Sequence, residues 1–390
     1  MHRFAPDIGF RDRGIVGSGR VPPGRPARLR RACVLFLLLF GTLPVLPAGY
    51  RILDLGNLGG GFARARDVNE AGVIVGESLI PVVGAVERAF CWEAGVMTDL
   101  GTLGGARSRA LAVNNTGVVA GWAVDAGNTV KPVLWDNGGI VPLPTLGGTF
   151  GTAWSINDSA VAVGHSSLPG GVYHATRWGA GGAEDLGTLG GSYSVAYDIN
   201  SSGLIVGTAD ASGGVQRACL WDSAGLVDLG ALSGGSWNTA RAINDSGAVV
   251  LWGTPAGVTE NRAAFWSGHP EDPVVDLGTF GGGESWAYGL NNLGHVVGWA
   301  ELAAGHYHAY VWNGVEMVDL GTLGGLFSSA YAINDAGVVV GWAHDAAGRT
   351  RAVAWIPVPE PVATLLASAT VLFAVGLVHR RQVTTSACAS

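Results

Sequence analysis

The chain has 390 residues, among them 63 Gly and 14 Trp, with only 14% charged side chains and a formal net charge of −7. Gly at more than twice its usual share of about 7%, without a three-residue period, excludes collagen, and the sparse charge excludes a coiled coil. An apolar share of 48% excludes disorder for want of a core, and the negative net charge argues against a nucleic-acid partner.

Residues 1–31 carry eight Arg and two Asp. The apolar run Ala32 to Leu46 follows, and Pro47-Ala48-Gly49 closes it with small residues. A basic region, a short apolar core and a small-residue exit describe a secretory signal over 1–49. The basic part is long, which suggests a translation start downstream of Met1. The alternative is an uncut N-terminal anchor, for which the apolar run is short.

From residue 50 to about 357 a single unit repeats seven times. A Gly-Gly pair ends at 60, 105, 148, 191, 235, 282 and 325, and an Asn follows nine residues later each time, from Asn69 to Asn334. A Trp closes each unit, from Trp92 to Trp355. The Gly-Gly to Asn spacing never changes, so that segment is rigid, and length variation falls in two connections only. Each unit predicts four strands: A up to the Asn, B through the Gly-Val-Val-Val-Gly run, C ending at Trp, and D carrying Asp-Leu-Gly. The Asn-x-x-Gly turn joins A to B, with Asn bonding local backbone and Gly supplying positive φ.

Four strands in about 43 residues, seven times, predicts an all-β, seven-bladed β-propeller. A β-solenoid is the alternative, but its turns repeat at shorter periods. Two features favour a ring. The chain enters with a lone strand D at Tyr50–Leu55 and leaves after strand C at Trp355, so the first strand completes the last blade and removes an open edge. Strand A carries Ala at one position in every copy, from Ala65 to Ala330, as an inner strand near a crowded axis requires, while strand C, read as outer, carries Trp.

The string Asp-Leu-Gly-Thr-Leu-Gly-Gly, intact at 99–105, 185–191 and 319–325, resembles the HAF repeat of secreted bacterial proteins, and the likeness covers essentially all of 50–355. Departures are local: Pro142-Leu143-Pro144-Thr145 replaces Asp-Leu-Gly-Thr in one copy, and Leu251 stands where the other copies have Gly. The resemblance implies export and a repeat fold, and no defined activity.

At the C-terminus Val358-Pro359-Glu360-Pro361 precedes an uncharged stretch, 362–378, and then His379-Arg380-Arg381. Seventeen helical residues cover roughly 26 Å, marginal for a bilayer core of about 30 Å. The order Pro359-Glu360-Pro361, transmembrane segment, Arg380-Arg381 resembles a PEP-CTERM sorting tail over 358–390. That resemblance implies an exosortase-type processing enzyme as partner, a Gram-negative bacterium, transient membrane association, tail removal, and delivery to the cell surface or an extracellular matrix. An ordinary single-span anchor is the alternative. Without the two ends, residues 50–358 hold 13 basic and 27 acidic side chains, and Lys131 is the single Lys. Of the four cysteines only Cys91 and Cys219 fall in this body, at related positions three repeats apart, and they read as buried apolar side chains without a bridge.

Residues present in every copy read as structural: the Asn set as turn chemistry, the Asp set (Asp54, Asp99, Asp185, Asp228, Asp276 and Asp319) as caps of the bend between blades. Off-pattern residues are better site candidates. The second residue after each Gly-Gly is Phe62, Arg107, Phe150, Tyr193, Trp237, Glu284 and Phe327. This broken aromatic ring with one Arg and one Glu, placed at the channel mouth, suits stacking on sugars. Its alternative is packing between blades. His306, His308 and His344 are a weak metal-pair candidate, set against exposed loop histidines, and no cofactor is expected. Glu260, Glu284 and Glu301 are the off-pattern acids, read as converging only near the axis. No Gly-x-Ser-x-Gly, His-Glu-x-x-His or phosphate loop occurs. The expectation is an exported, non-catalytic surface or exopolysaccharide-matrix protein binding glycan or protein. The alternative is a glycosidase or lyase using Glu284 with Arg107.

Overall fold

The structure is a computed structural model that describes residues 49–230, 235, 238–269 and 271–358. Its strands form seven four-stranded antiparallel sheets, and in six of them spatial order follows chain order from an inner to an outer strand. The inner strands are Ala63–Val68, Gly104–Val113, Gly151–Ile156, Gly190–Ile199, Asn238–Ile243, Gly281–Leu290 and Gly324–Ile333, which define blades 1 to 7. In blade 7 the outer strand is the chain's first, Gly49–Asp54, paired with Thr350–Val358 from Gly49↔Val358 to Asp54↔Val353. The protein is therefore a seven-bladed β-propeller closed by its own entry strand, as the repeat phase predicts. Among the described residues there is no helix long and apolar enough to cross a membrane. The expected leader up to residue 48, the segment 362–378, and Pro359, Glu360, Pro361, Arg380 and Arg381 lie outside the described residues, while Gly49, expected to end the leader, begins the entry strand.

The core lies between blades, where strand C, read as outer, takes the third place. Strand C is third of four, and strand D is outside it. There are seven apolar clusters, each spanning two neighbouring blades. The closing Trp packs against the preceding blade: Trp355 meets Val297, Ala309 and Val311, and Trp135 meets Val75 and Ala89. The wedge between blades is filled there, while the inner-strand Ala65, Ala110, Ala153, Ala196, Ala240, Ala287 and Ala330 are all fully buried. Cys219 is buried within one of these clusters; Cys91 is half-buried, and both are free thiols.

Polar groups lock the same interfaces. Each Asn of the A–B turn accepts the N–H of the residue four ahead on its Oδ1, at 2.8–3.1 Å. Its Nδ2 donates to the backbone carbonyl of the next blade's Asn. The chain of bonds runs Asn69, Asn114, Asn157, Asn200, Asn244, Asn291, Asn334 and back to Asn69, at 3.0–3.2 Å. Every member is buried. The Asn set therefore does two jobs, the local turn and a closed hydrogen-bonded ring around the axis. The Asp set caps the bend as expected: the carboxylates of Asp54, Asp99, Asp185, Asp228, Asp276 and Asp319 each accept the N–H of the Gly two residues on, at 2.7–2.9 Å.

Candidate ligand site in the axial channel

The inner strand of every blade slips register by one residue against its neighbour, between Ala65 and Asp67 in blade 1 and at the matching place in the other six. Such a bulge leaves one residue out of the ladder and re-aims its side chain. The seven bulged residues are Arg66, Leu111, Trp154, Tyr197, Arg241, Tyr288 and Tyr331. Together they line an axial cavity of about 160 Å³, with Asp67, Ser155 and Asp198 one residue further along the chain. The second-strand Gly of six repeats is the other half of this device. At Gly341 a Cβ would strike the carbonyl oxygen of Ser329, which the bulge pushes across, and Gly76, Gly121, Gly164, Gly207 and Gly298 stand in the same relation to their own inner strands.

A second layer of side chains supports the bulged ring from eleven residues on. Arg66 donates from Nε and Nη2 to Glu77 at 2.6–3.1 Å, and Glu77 is fully buried. Burial opposes the Arg66 charge, but Glu77 beside it outweighs that and keeps the guanidinium firmly protonated. Trp299 and Trp342 donate from Nε1 to the hydroxyls of Tyr288 and Tyr331 at 3.3 and 3.1 Å. Trp154 donates to Nδ1 of His165 at 3.1 Å, and burial pushes His165 down to about 4, so its ring is neutral at pH 7. Arg241 lies over the Tyr197 ring at 4.2 Å, with Trp154 and Tyr288 each at 5.7 Å.

Below this ring the channel turns acidic. The Asp67 carboxylate accepts the N–H groups of Val68 and of Val113 in the next blade, both at 2.8 Å, yet burial pushes it up to about 7. Burial also raises Asp198, which accepts from Ser155, Ile199 and Ile243. The far mouth is rimmed by the residues after the ring Asn, among them Glu70, Asp158, Asp245 and Asp335.

On the opposite side the aromatic residues become continuous. Trp252 stacks on Trp286 at 3.9 Å, Trp286 on Trp299 at 5.8 Å, and Trp299 meets Tyr307 at 4.7 Å. Tyr307 meets Phe327 at 4.8 Å, and Phe327 meets His344 at 5.5 Å. Tyr288, 6.3 Å from Trp286 and 5.3 Å from Tyr331, joins this band of blades 5 to 7 to the axial ring.

The site residues expected from sequence separate against this geometry. Phe327 belongs to the aromatic band, and Phe150 packs on His165 and Tyr173 at 5.5 and 5.3 Å. Phe62 lies under the Arg64 guanidinium, which also covers Trp342. Tyr193 is half-buried, its hydroxyl pushed up to about 12 by burial and by Tyr197, Asp210 and Tyr173 nearby. Arg107 is exposed in blade 2 while Glu284 opens blade 6, and no hydrogen bond or ion pair joins them among the described residues. Trp237 lies outside the described residues. Glu301 accepts the N–H groups of Gly283 and Glu284, and Glu260 comes up beside Gly283, because the blade 5 loop abuts the start of blade 6. Glu260 is held below its ordinary value by hydrogen bonds from Thr259. His308 and His344 sit within strands rather than loops; His308 pairs with Asp319 at 2.9 Å, whereas His306 and His344 both pack edge-on against Phe327. Among the described residues no group of three His, Cys, Asp or Glu side chains is placed to hold a metal. Sequence reasoning missed the bulged ring. The signal was the residue after each invariant inner-strand Ala, which varies freely among Arg, Leu, Trp and Tyr.

No family model and no curated protein matches the chain. Among solved structures, TolB from Acinetobacter baumannii is 13% identical with a TM-score of 0.44, the match covering 77% of this chain and 64% of that one. The chain thus spans under two thirds of TolB's length. YCF48 bound to D1 peptide is 15% identical over 80% of this chain and 100% of that one, TM-score 0.46. The SapL1 lectin in complex with alpha methyl fucoside is 14% identical over 66% and 95%, TM-score 0.39. At these levels the likenesses carry no argument about ligand.

Proposed function

We propose that this chain is an exported, non-catalytic propeller that binds polysaccharide at the aromatic side of its axial channel. The observation that carries the reading is the unbroken, half-buried band from Trp252 through Trp286, Trp299 and Tyr307 to Phe327, joined to the axial ring by Tyr288. Flat aromatic faces recognise the apolar faces of pyranose rings without charge, which suits a body rich in acidic residues. Two of the off-pattern acids are already engaged, Glu301 by backbone N–H groups and Glu260 in its ionised form, which supports the non-catalytic reading. The tail that resembles a sorting signal supports delivery to the surface or matrix with an exosortase as processing partner, and mass spectrometry of the exported protein tests for removal of both ends.

The binding experiment uses the full-length chain against a broad polysaccharide panel. Phe327→Ala and Tyr307→Ala each weaken retention at least tenfold while the circular dichroism of the propeller is unchanged. Retention unaffected by both substitutions, or cleavage of a polymer by the wild-type chain, overturns the reading.

A further inference from the structure

Two guanidinium groups enter the axial channel from the same bulged position, in blades 1 and 5, and they are treated differently. Arg66 finds Glu77 eleven residues on and closes a forked ion pair with it. Arg241 has Trp252 at that place, and among the described residues no carboxylate lies within ion-pair distance of it. Its Nε is buried and without a hydrogen-bond partner. The neighbouring acid, Asp198, is already held by Ser155, Ile199 and Ile243, donors from three blades, and does not close onto the arginine. What packs on the Arg241 guanidinium is aromatic, with Tyr197 beneath it and Trp154 and Tyr288 to the sides; Asp198 feels its charge from beyond ion-pair distance.

Cation–π contacts hold a guanidinium by its faces and leave its N–H edge unanswered. A buried donor without a partner carries a cost that a carboxylate would remove, as Glu77 removes it for Arg66. We infer that the axial channel is a subsite for a single terminal uronate sugar, its carboxylate paired with Arg241 and its ring lodged among Tyr197, Trp154 and Tyr288. The inference rests on the polysaccharide reading above and names the sugar class. The volume fits: about 160 Å³ is below the roughly 300–1,000 Å³ of drug-sized pockets, so it admits one residue and not a passing chain. Asp67 and Asp198 line the same cavity, but their oxygens already accept backbone N–H and hydroxyl donors, and the uronate contact is to the Arg241 edge, local and desolvated rather than steered by the acidity of the body.

Methyl β-glucuronide and methyl β-glucoside share a ring and differ at the carboxylate. Isothermal titration of the full-length chain with each is the test. The wild-type chain binds the glucuronide at least tenfold more tightly, and Arg241→Gln brings it to the level of the glucoside while Phe327-dependent retention of neutral polysaccharide persists. Equal affinity for the two glycosides in the wild-type chain overturns the inference and leaves polysaccharide binding standing; discrimination retained by Arg241→Gln also overturns it. Should Arg241→Gln fail to fold, the Nε–H resonance of Arg241 in the wild-type chain decides: it shifts on adding glucuronide and not on adding glucoside, and no shift refutes the contact. A short N-acetylated peptide with a free C-terminal carboxylate is the third ligand. If it binds as tightly as the glucuronide, the occupant is a peptide end and the uronate assignment fails.

Discussion

Replacing Asn200 with Asp separates the two jobs of the ring asparagines. The Asn200 Oδ1 accepts from the Leu204 N–H at 2.9 Å and from the Ser202 hydroxyl at 2.8 Å, and an aspartate oxygen keeps both bonds. The Nδ2 donates to the Asn244 carbonyl at 3.1 Å, and an aspartate cannot. That carbonyl also accepts the Gly247 N–H at 3.0 Å, so it is not orphaned, and the loss is one net bond of about 0.5–1.5 kcal/mol. Setting a charged, desolvated oxygen against the carbonyl adds about 1–3 kcal/mol. Asn200→Asp should therefore lose about 1.5–4.5 kcal/mol in urea denaturation, comparable to Asn200→Ala, which loses the turn bonds as well. If Asn200→Asp stays within about 0.5 kcal/mol of wild type while Asn200→Ala does not, the inter-blade ring contributes nothing and the residue is a turn former only.

Three further predictions concern the same repeat. Blade 3 has Ala160 where the other turns have Gly, at φ 57°, so Ala160→Gly should raise stability by about 0.5–1 kcal/mol in the same assay; an unchanged midpoint would mean that the turn carries no strain. Gly341→Ala drives a Cβ into the Ser329 carbonyl and should cost about 1–3 kcal/mol, with loss of order around Tyr331 seen in tyrosine and tryptophan fluorescence; a silent substitution contradicts the bulge account. Asp67 is raised from 3.8 to about 7 on folding, so its contribution is fully present below about pH 4 and is lost as pH rises towards 7, at most about 4 kcal/mol. His165, lowered to about 4, acts oppositely: its contribution is present above about pH 6.5 and is lost as pH falls towards 4. Asp67→Asn should flatten the decline between pH 4 and 7 in a pH series of denaturation midpoints, and an identical slope in both proteins refutes the assignment.

The architecture was legible because it is written seven times. Strand count, the Asn turn and the closure by Tyr50–Leu55 all follow from phase and spacing, and the Ala column marks the crowded inner strand. The Trp on the outer strand C fills the diverging wedge as expected, though sequence does not show which side chains of the preceding blade it packs on. The Asn ring was invisible for a different reason: the turn already accounts for an invariant Asn, and the side chain's second bond crosses to another repeat about 43–47 residues away. The candidate site was half legible. Phe327, Phe150 and Phe62 stood out as off-pattern aromatics, but the bulge that delivers Arg66, Arg241 and the tyrosines into the channel leaves no length change in the repeat. The variable residue after each inner-strand Ala and the paired Gly, absent at Leu251, are the traces it leaves.

The central claim is that this propeller binds glycan through aromatic faces and does not turn it over. The most direct measurement is incubation of the full-length chain with a polysaccharide panel, scoring retained polymer and released reducing or unsaturated ends in the same samples. The account predicts saturable retention of at least one polymer with its length unchanged, lost in Phe327→Ala. Release of ends by the wild-type chain, or retention of no glycan at all, would contradict it.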